Sequence, residues 1–229
     1  MVDFTTTTPS SSVGDYLKAV WDLTGASGGI AGTKDVAGRL SVSPASVTNM
    51  FVRLQERGLV EYERYRGVSL TGRGRAEALR LVRRHRLIET FLLEHLGYDR
   101  QEVHDEAERL EHAVSDAFTD RLAKLLGHPE RDPHGEPIPA ADGTLAADYS
   151  FPLGKAKPGT RVRIRKVGDD DTPVLDHLEG RGLVPGCVLE VVEARELDGV
   201  VTVEDEDGGM HALGELLARA IFVRVERRC

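Results

Sequence analysis

The reading of this chain turns on His104-Asp105-Glu106-Ala107-Glu108-Arg109-Leu110-Glu111-His112. The run contains no Gly or Pro, and Asp99 ahead of it can cap a helix. As a helix it sets His104, Glu108, Glu111 and His112 at i, i+4, i+7 and i+8, on one face. Val103 and Leu110 fall elsewhere on the wheel and can face a core. Two imidazoles and two carboxylates pointing the same way are costly without a cation between them. A divalent metal is the usual solution. A solvated polar face fits the same nine residues, so the rest of the chain has to decide.

The chain has 229 residues, enough for one large domain or two to three small ones. No apolar run approaches the length of a membrane span, and the N-terminus lacks the basic-then-apolar pattern of a signal peptide. Cys187 and Cys229 match no metal-finger or redox spacing. A cytoplasmic protein with no membrane partner is expected. Residues 1–12, rich in Thr and Ser, read as a disordered lead-in. The net charge of −8 argues against a general nucleic-acid coat, but the charge is uneven. Residues 13–75 hold nine Lys/Arg against six Asp/Glu, whereas residues 76–140 hold nine against fourteen. A basic N-terminal block on an acidic chain suits a modular DNA binder.

Residues 13–75 read as a winged helix-turn-helix. Gly14 to Leu23 is amphipathic, with Tyr16, Leu17, Val20, Trp21 and Leu23 able to pack, and Gly25 to Gly29 breaks it. In the next helix Thr33 can cap and Val36, Ala37 and Leu40 form an apolar stripe. After the turn Ser41-Val42-Ser43, Pro44 suits a first helical position. Val47, Met50, Phe51 and Leu54 would be buried before Gly58 ends that helix. The period then changes to strand on both sides of a tip at Arg64 to Gly67, which makes a wing. The exposed face of the second helix would carry Ser43, Pro44, Ala45, Ser46, Thr48 and Asn49, small or amide side chains able to approach base edges and thymine methyls. Lys34, Arg53, Arg64 and Arg66 suit phosphates. A winged helix used for protein contacts is the alternative.

Residues 76–140 read as a helical metal-binding and dimerisation domain. Ala76 through Leu96 is one long helix, more apolar than a small winged helix needs. It places His85 and Glu89 at i, i+4, a spacing that can share one ion. Ser115 to Leu126 adds a second apolar face, and the surplus suggests a homodimer. Pro129 to Pro139 is a Pro-rich loop, and 141–158 reads as a linker. Residues 159–229 hold β runs at Arg161 to Val167, Val188 to Glu193, Val200 to Glu204 and Ala220 to Val225, with a short helix at Leu175 to Arg181. They read as a small barrel. The fold class expected is mainly α with small β.

With these pieces in this order, the sequence resembles the diphtheria toxin repressor family of metal-activated bacterial repressors. Arg84-His85-Arg86-Leu87, Val103 to Ala107 with Glu111-His112, and Asp132-Pro133-His134-Gly135 before Pro137-Ile138-Pro139 carry the likeness. It covers nearly the whole chain and implies an SH3-like (FeoA-like) C-terminal domain and a structural turn at His134. The resemblance also implies two metal sites. The primary site maps onto Asp15, Glu108, Glu111 and His112, and the ancillary site onto His85, Glu89 and His104. Iron-responsive members carry Met where this chain has Asp15 and Cys where it has Glu108, so those carboxylates are similar to the manganese-responsive branch. Short manganese members lack the third domain and the histidine matching His104, and carry an acidic residue in place of Lys18. The chain thus resembles a hybrid of the two branches. Iron-type members also send ligands from the barrel to the ancillary site, and the matching region here is around Asp169 to Asp171.

The donor chemistry leads the same way without the family. Asp15, Glu108 and Glu111 are hard oxygen donors, and hard ligands are how a protein selects manganese, lowest in the divalent affinity series. An ion joining Asp15 to the Glu108–His112 helix would fix the recognition helix relative to the dimer axis, biasing a two-state equilibrium. The expected function is a Mn2+-activated homodimeric repressor, with Fe2+ as a second candidate. It would bind double-stranded DNA at an inverted repeat and control metal homeostasis genes. A metalloenzyme is the main rival, but there is no His-Glu-x-x-His run and no obvious general base. A metal-independent winged-helix regulator is the other.

Overall fold

The computed structural model describes residues 11–25, 28–168, 172–195 and 199–226. Of the lead-in read as disordered, residues 1–10 lie outside the described residues, while Ser11 and Ser12 already belong to the first helix. Asp169 to Asp171 also lie outside them.

The chain divides into two compact units. The first runs through His128 and takes in Ile138–Leu145; the second is Pro129–Pro137 with the chain from Ala146 onward.

The first unit begins with α1 (Ser11–Thr24), α2 (Thr33–Arg39) and α3 (Pro44–Glu56). Ser43 caps α3 by accepting from the Ser46 N–H, and Pro44 stands at the first helical position. Thr33 is not a cap. Gly32 occupies that position without a side-chain bond, and Thr33 is the first residue of the helix. A two-stranded antiparallel hairpin follows, β1 (Val60–Glu63) and β2 (Gly67–Leu70), with Tyr65 at its tip. One core serves all of these elements. Leu17, Val20, Val36, Val47, Phe51, Leu54 and Val68 are fully buried in it, each worth about 1.5–3 kcal/mol of transfer free energy.

Helix α4 (Gly72–Leu96) is 25 residues long and starts four residues before the position read from sequence. Thr71 caps it by accepting from the Gly74 N–H, which lets Gly72 and Gly74 enter the first turn despite their poor propensity. Gly74 is required there: a Cβ would lie 1.8 Å from the Leu59 carbonyl oxygen. The early residues of α4, Ala78, Leu79 and Val82, close the winged-helix core. Its later residues, Leu87, Ile88 and Leu92, join Val103, Ala107, Leu122, Ala123 and Ile138 in a second core with α5 (Arg100–Glu111) and α6 (Asp116–Leu125). One uninterrupted helix therefore links the winged-helix block to the helical block.

The second unit carries six strands in one antiparallel sheet, ordered β3-β8-β4-β5-β6-β7. They are β3 (Phe151–Pro152), β4 (Arg161–Val167), β5 (Val188–Ala194), β6 (Val201–Asp205), β7 (Met210–Leu213) and β8 (Ile221–Val225). Helices α7 (Thr172–Glu179) and α8 (Glu215–Ala220) complete it. The core draws on every strand from β4 to β8, including Ile164, Leu189, Val203, Leu213 and Val223. Three sequence expectations need correcting. Phe151–Pro152 pairs with β8, so the stretch 141–158 is not wholly a linker. β7 was not expected, because Met-His-Ala-Leu shows one buried residue and no alternation. Pro129–Pro137 groups with the second unit, because the Val167 N–H donates to the His134 carbonyl. The His134 turn is itself closed by Asp132 Oδ1, which accepts from the N–H groups of His134 and Glu136.

Candidate metal centre and nucleic-acid interface

The metal-ligand candidates come from three helices of the first unit. Asp15 stands on α1, one turn from Lys18; His85 and Glu89 stand on α4, and His104, Glu108 and Glu111 on α5. His112 lies in the turn just past α5, one residue beyond the helix expected to hold it. Gly14 sets the approach of α1 to this centre. A Cβ there would meet Leu81 Cδ1 at 2.6 Å and His112 Cε1 at 3.3 Å. Without one, the neighbouring Asp15 reaches His112, with Oδ1 2.7 Å from Nε2.

Two groups of ligand atoms form, each within 4.8 Å of one another: Asp15, Glu111 and His112; and His85, Glu89 and His104. In the first, His112 Nε2 is 3.6 Å from Glu111 Oε1. In the second, Glu89 Oε1 lies 2.8 Å from His85 Nε2 and 3.1 Å from His104 Nδ1. The His85 and His104 rings meet edge to face, with centroids 4.9 Å apart. The groups are linked, because His85 Nδ1 is 2.5 Å from Glu111 Oε2. Glu108 stands outside both groups. Its side chain is 55% exposed, and Oε1 sits 3.7 Å from His104 Nε2 and 3.8 Å from Lys18 Nζ.

Electrostatics explain how these carboxylates stay together. Glu111 is 1% and Glu89 4% exposed. Burial opposes ionisation of Glu111, but the His85 hydrogen bond and the Lys18 charge hold its carboxyl below the ordinary range. Burial would push His85 down, yet Glu89 and Glu111 bracket its two ring nitrogens and raise it to about 9. Desolvation pushes Asp15 up, against the pull of His112. The two buried carboxylates are thus balanced by an imidazolium and an ammonium. Hard oxygen and imidazole donors grouped in threes, held together by substitute cations, fit a divalent ion. Lys18, which the sequence marks only as standing where short manganese members carry an acidic residue, takes part in this centre, and that role appears only when the three helices come together.

The DNA-facing candidates sit on α3 and the hairpin. Ser43, Pro44, Ala45, Ser46 and Asn49 are exposed, as are Lys34, Arg53, Arg64 and Arg66, and Thr48 is partly covered. All three hydroxyls have local partners: Ser43 caps α3, the Ser43 and Ser46 Oγ atoms are 2.9 Å apart, and Thr48 Oγ1 donates to the Pro44 carbonyl at 3.0 Å. Tyr65 is the most exposed large hydrophobic side chain among the described residues, at 91%. It takes φ 70 at the wing tip and carries the Arg64 guanidinium 5.0 Å from its ring centroid.

Together these features define a winged-helix protein in which helices of the first unit bring together grouped side chains able to ligate a metal. Comparison with known proteins gives the family. Residues 9–68 match the family profile described as the iron dependent repressor N-terminal DNA binding domain. Residues 71–140 match its metal binding and dimerisation domain, and 151–225 match the FeoA domain. The diphtheria toxin repressor of Corynebacterium diphtheriae is 36% identical over 205 residues, covering 83% of this chain and 86% of that one. The HTH-type transcriptional regulator MntR of Lysinibacillus sphaericus is 38% identical over 125 residues, 55% of this chain and 88% of that one. A solved manganese-dependent transcriptional repressor in complex with manganese superposes with TM-score 0.87 at 40% identity, covering 93% of this chain and 100% of that one.

The chain belongs to the iron-dependent repressor family, that of the diphtheria toxin repressor. It is a metal-dependent DNA-binding transcriptional repressor with a dimerisation domain, and the metalloenzyme reading falls with that assignment. Among the described residues, no helix is long and apolar enough to cross a membrane.

Proposed function

We propose that the protein is a cytoplasmic, homodimeric repressor activated by Mn2+, with Fe2+ as a second activator, that binds an inverted-repeat operator and controls metal homeostasis genes. One observation carries the choice of metal: the α1–α5 group offers Asp15, Glu111 and His112, with no thiolate or thioether among its donors. Hard donors weaken the pull on softer ions more than on manganese. The solved relative described as a complex with manganese supports the same reading. The primary site is Asp15, Glu111 and His112 with Glu108, whose exposed side chain stands on the same helix as Glu111 and would complete the set. The ancillary site is His85, Glu89 and His104. Asp15 from α1, with Glu111 and His112 at and just past the end of α5, would hold the ion, which would supply the positive charge that the present ion pairs give. Asp15 then positions the winged-helix block, and α3 with the Arg64–Arg66 tip meets the major groove and the phosphates.

The test is activation of operator binding by a metal series under strict oxygen exclusion. Wild type is compared with the double variant Glu108→Cys, Asp15→Met and with His85→Ala. The double variant should shift activation from Mn2+ toward Fe2+, Co2+ or Ni2+. His85→Ala should weaken activation without reordering the metals. An unchanged metal order in the double variant removes the basis for manganese.

A further inference from the structure

The space between the two metal groups is filled by a side chain that belongs to neither. Lys18 lies one turn along α1 from Asp15, and its side chain is 12% exposed. Its ammonium is 3.2 Å and 3.1 Å from the two oxygens of Glu111, 3.1 Å from His85 Nδ1, and 3.8 Å from Glu108 Oε1. It therefore touches one donor of each group and stands beside a second carboxylate, that of Glu108. A carboxylate can only accept, so the His85 Nδ1 proton and the ammonium both point at Glu111. Among the described residues, no other lysine or arginine pairs with Glu111.

We propose that Lys18 is a tethered counter-cation, a positioning residue that holds Glu111 in place for metal and competes with metal for it. This rests on the reading of Asp15, Glu111 and His112 as a metal site. The physical reason is direct. A buried carboxylate without a cation is costly, so Glu111 needs Lys18 and His85 to remain ionised in the core when no metal is bound. An ion arriving at Glu111 must take lone pairs that the ammonium occupies. It must then tolerate a positive charge a few ångströms away in a poorly screened site. Lys18 thus stabilises the metal-free protein and weakens metal binding. It sets how much free metal is needed before the α1–α5 link forms. Because its ammonium lies between the groups, it also keeps an ion on one side from sharing Glu111 with an ion on the other.

The experiment is equilibrium Mn2+ binding, by competition with a chromophoric chelator, on full-length wild type, Lys18→Met and Lys18→Arg. Melting temperatures are measured alongside in excess chelator. Methionine keeps much of the stem and removes the charge, and arginine keeps the charge. Lys18→Met should bind Mn2+ at least about tenfold more tightly at the tighter site and should melt lower than wild type when metal-free. Lys18→Arg should return both readouts toward wild type. If Lys18→Met does not fold in chelator, Lys18→Gln, which keeps a donor for Glu111, replaces it with the same expectations. With two Mn2+ per chain, the charge-free variant should also show an exchange-coupled electron paramagnetic resonance signal that wild type lacks. Mn2+ affinity unchanged or weaker in the charge-free variant overturns the proposal, whatever its melting temperature. If wild type itself takes up no Mn2+, the metal-site reading fails, and this proposal fails with it.

Discussion

Asp15→Ala isolates the link between metal and DNA. Asp15 is the one α1 residue in either ligand group, whereas Glu111 ends α5 and His112 follows it in the turn. Its side chain is 42% exposed and its partner His112 is 23% exposed. A pair screened to that degree contributes about 0–1 kcal/mol, so the metal-free variant should fold and melt close to wild type. With metal the balance differs. Coupling between two sites in one protein is typically about 1–3 kcal/mol, a factor of about 5–150 in affinity. An ion held only from α5 has no stake in where α1 lies, so most of that factor should vanish. The assay is fluorescence anisotropy on a duplex selected by the wild-type protein, with Mn2+ and with chelator. Wild type should gain affinity within that range on adding metal, and Asp15→Ala should gain about threefold or less. A variant that keeps the full metal-induced gain would refute the idea that Asp15 transmits metal occupancy to the DNA-reading block.

Other consequences follow from the same geometry. Arg64→Ala and Arg66→Ala should weaken binding to all duplexes and lower the slope of log affinity against log salt by about 0.9 each; a change confined to one sequence would contradict phosphate contact. Asn49→Ala should instead alter preference at one base position, by about 1–3 kcal/mol in a binding-site selection. Phe118 and Leu125 on α6 are 48% and 63% exposed, so Leu125→Asp should shift sedimentation toward the monomer if that face is the dimer contact. In the second unit, the His211 ring and the Gly209 N–H hold the Asp205 carboxyl below its ordinary range. A depressed carboxyl contributes stability that is present above its unfolded value of 3.8 and is lost as pH falls through the folded value. The stability gap between wild type and Asp205→Asn should therefore shrink on acidification below that point, and a gap independent of pH would refute the pairing.

Much of this fold was legible in the sequence because its helices carry strong local signals. Pro44 after Ser43, the apolar stripe from Val47 to Leu54, and the breaker Gly58 marked α3 closely. The α5 ligand face could be read because 3.6-residue periodicity places His104, Glu108 and Glu111 together. What the sequence hid depends on tertiary contacts. Gly72 and Gly74 look like helix breakers, and only the Thr71 cap and the close approach to Leu59 explain why α4 begins there. β3 is two residues long and includes a proline, too short for any period, and its pairing with β8 is long-range. The placement of Lys18 between the metal groups needs three helices brought together, which no spacing on α1 alone could announce.

The most direct test of the account is operator binding titrated with Mn2+ after the protein is stripped of metal, at fixed ionic strength and without oxygen. Binding should be weak and salt-dependent in chelator and rise saturably as Mn2+ fills the Asp15–Glu111–His112 group, and chelator should reverse the rise. Equal affinity for the operator with and without metal would contradict it.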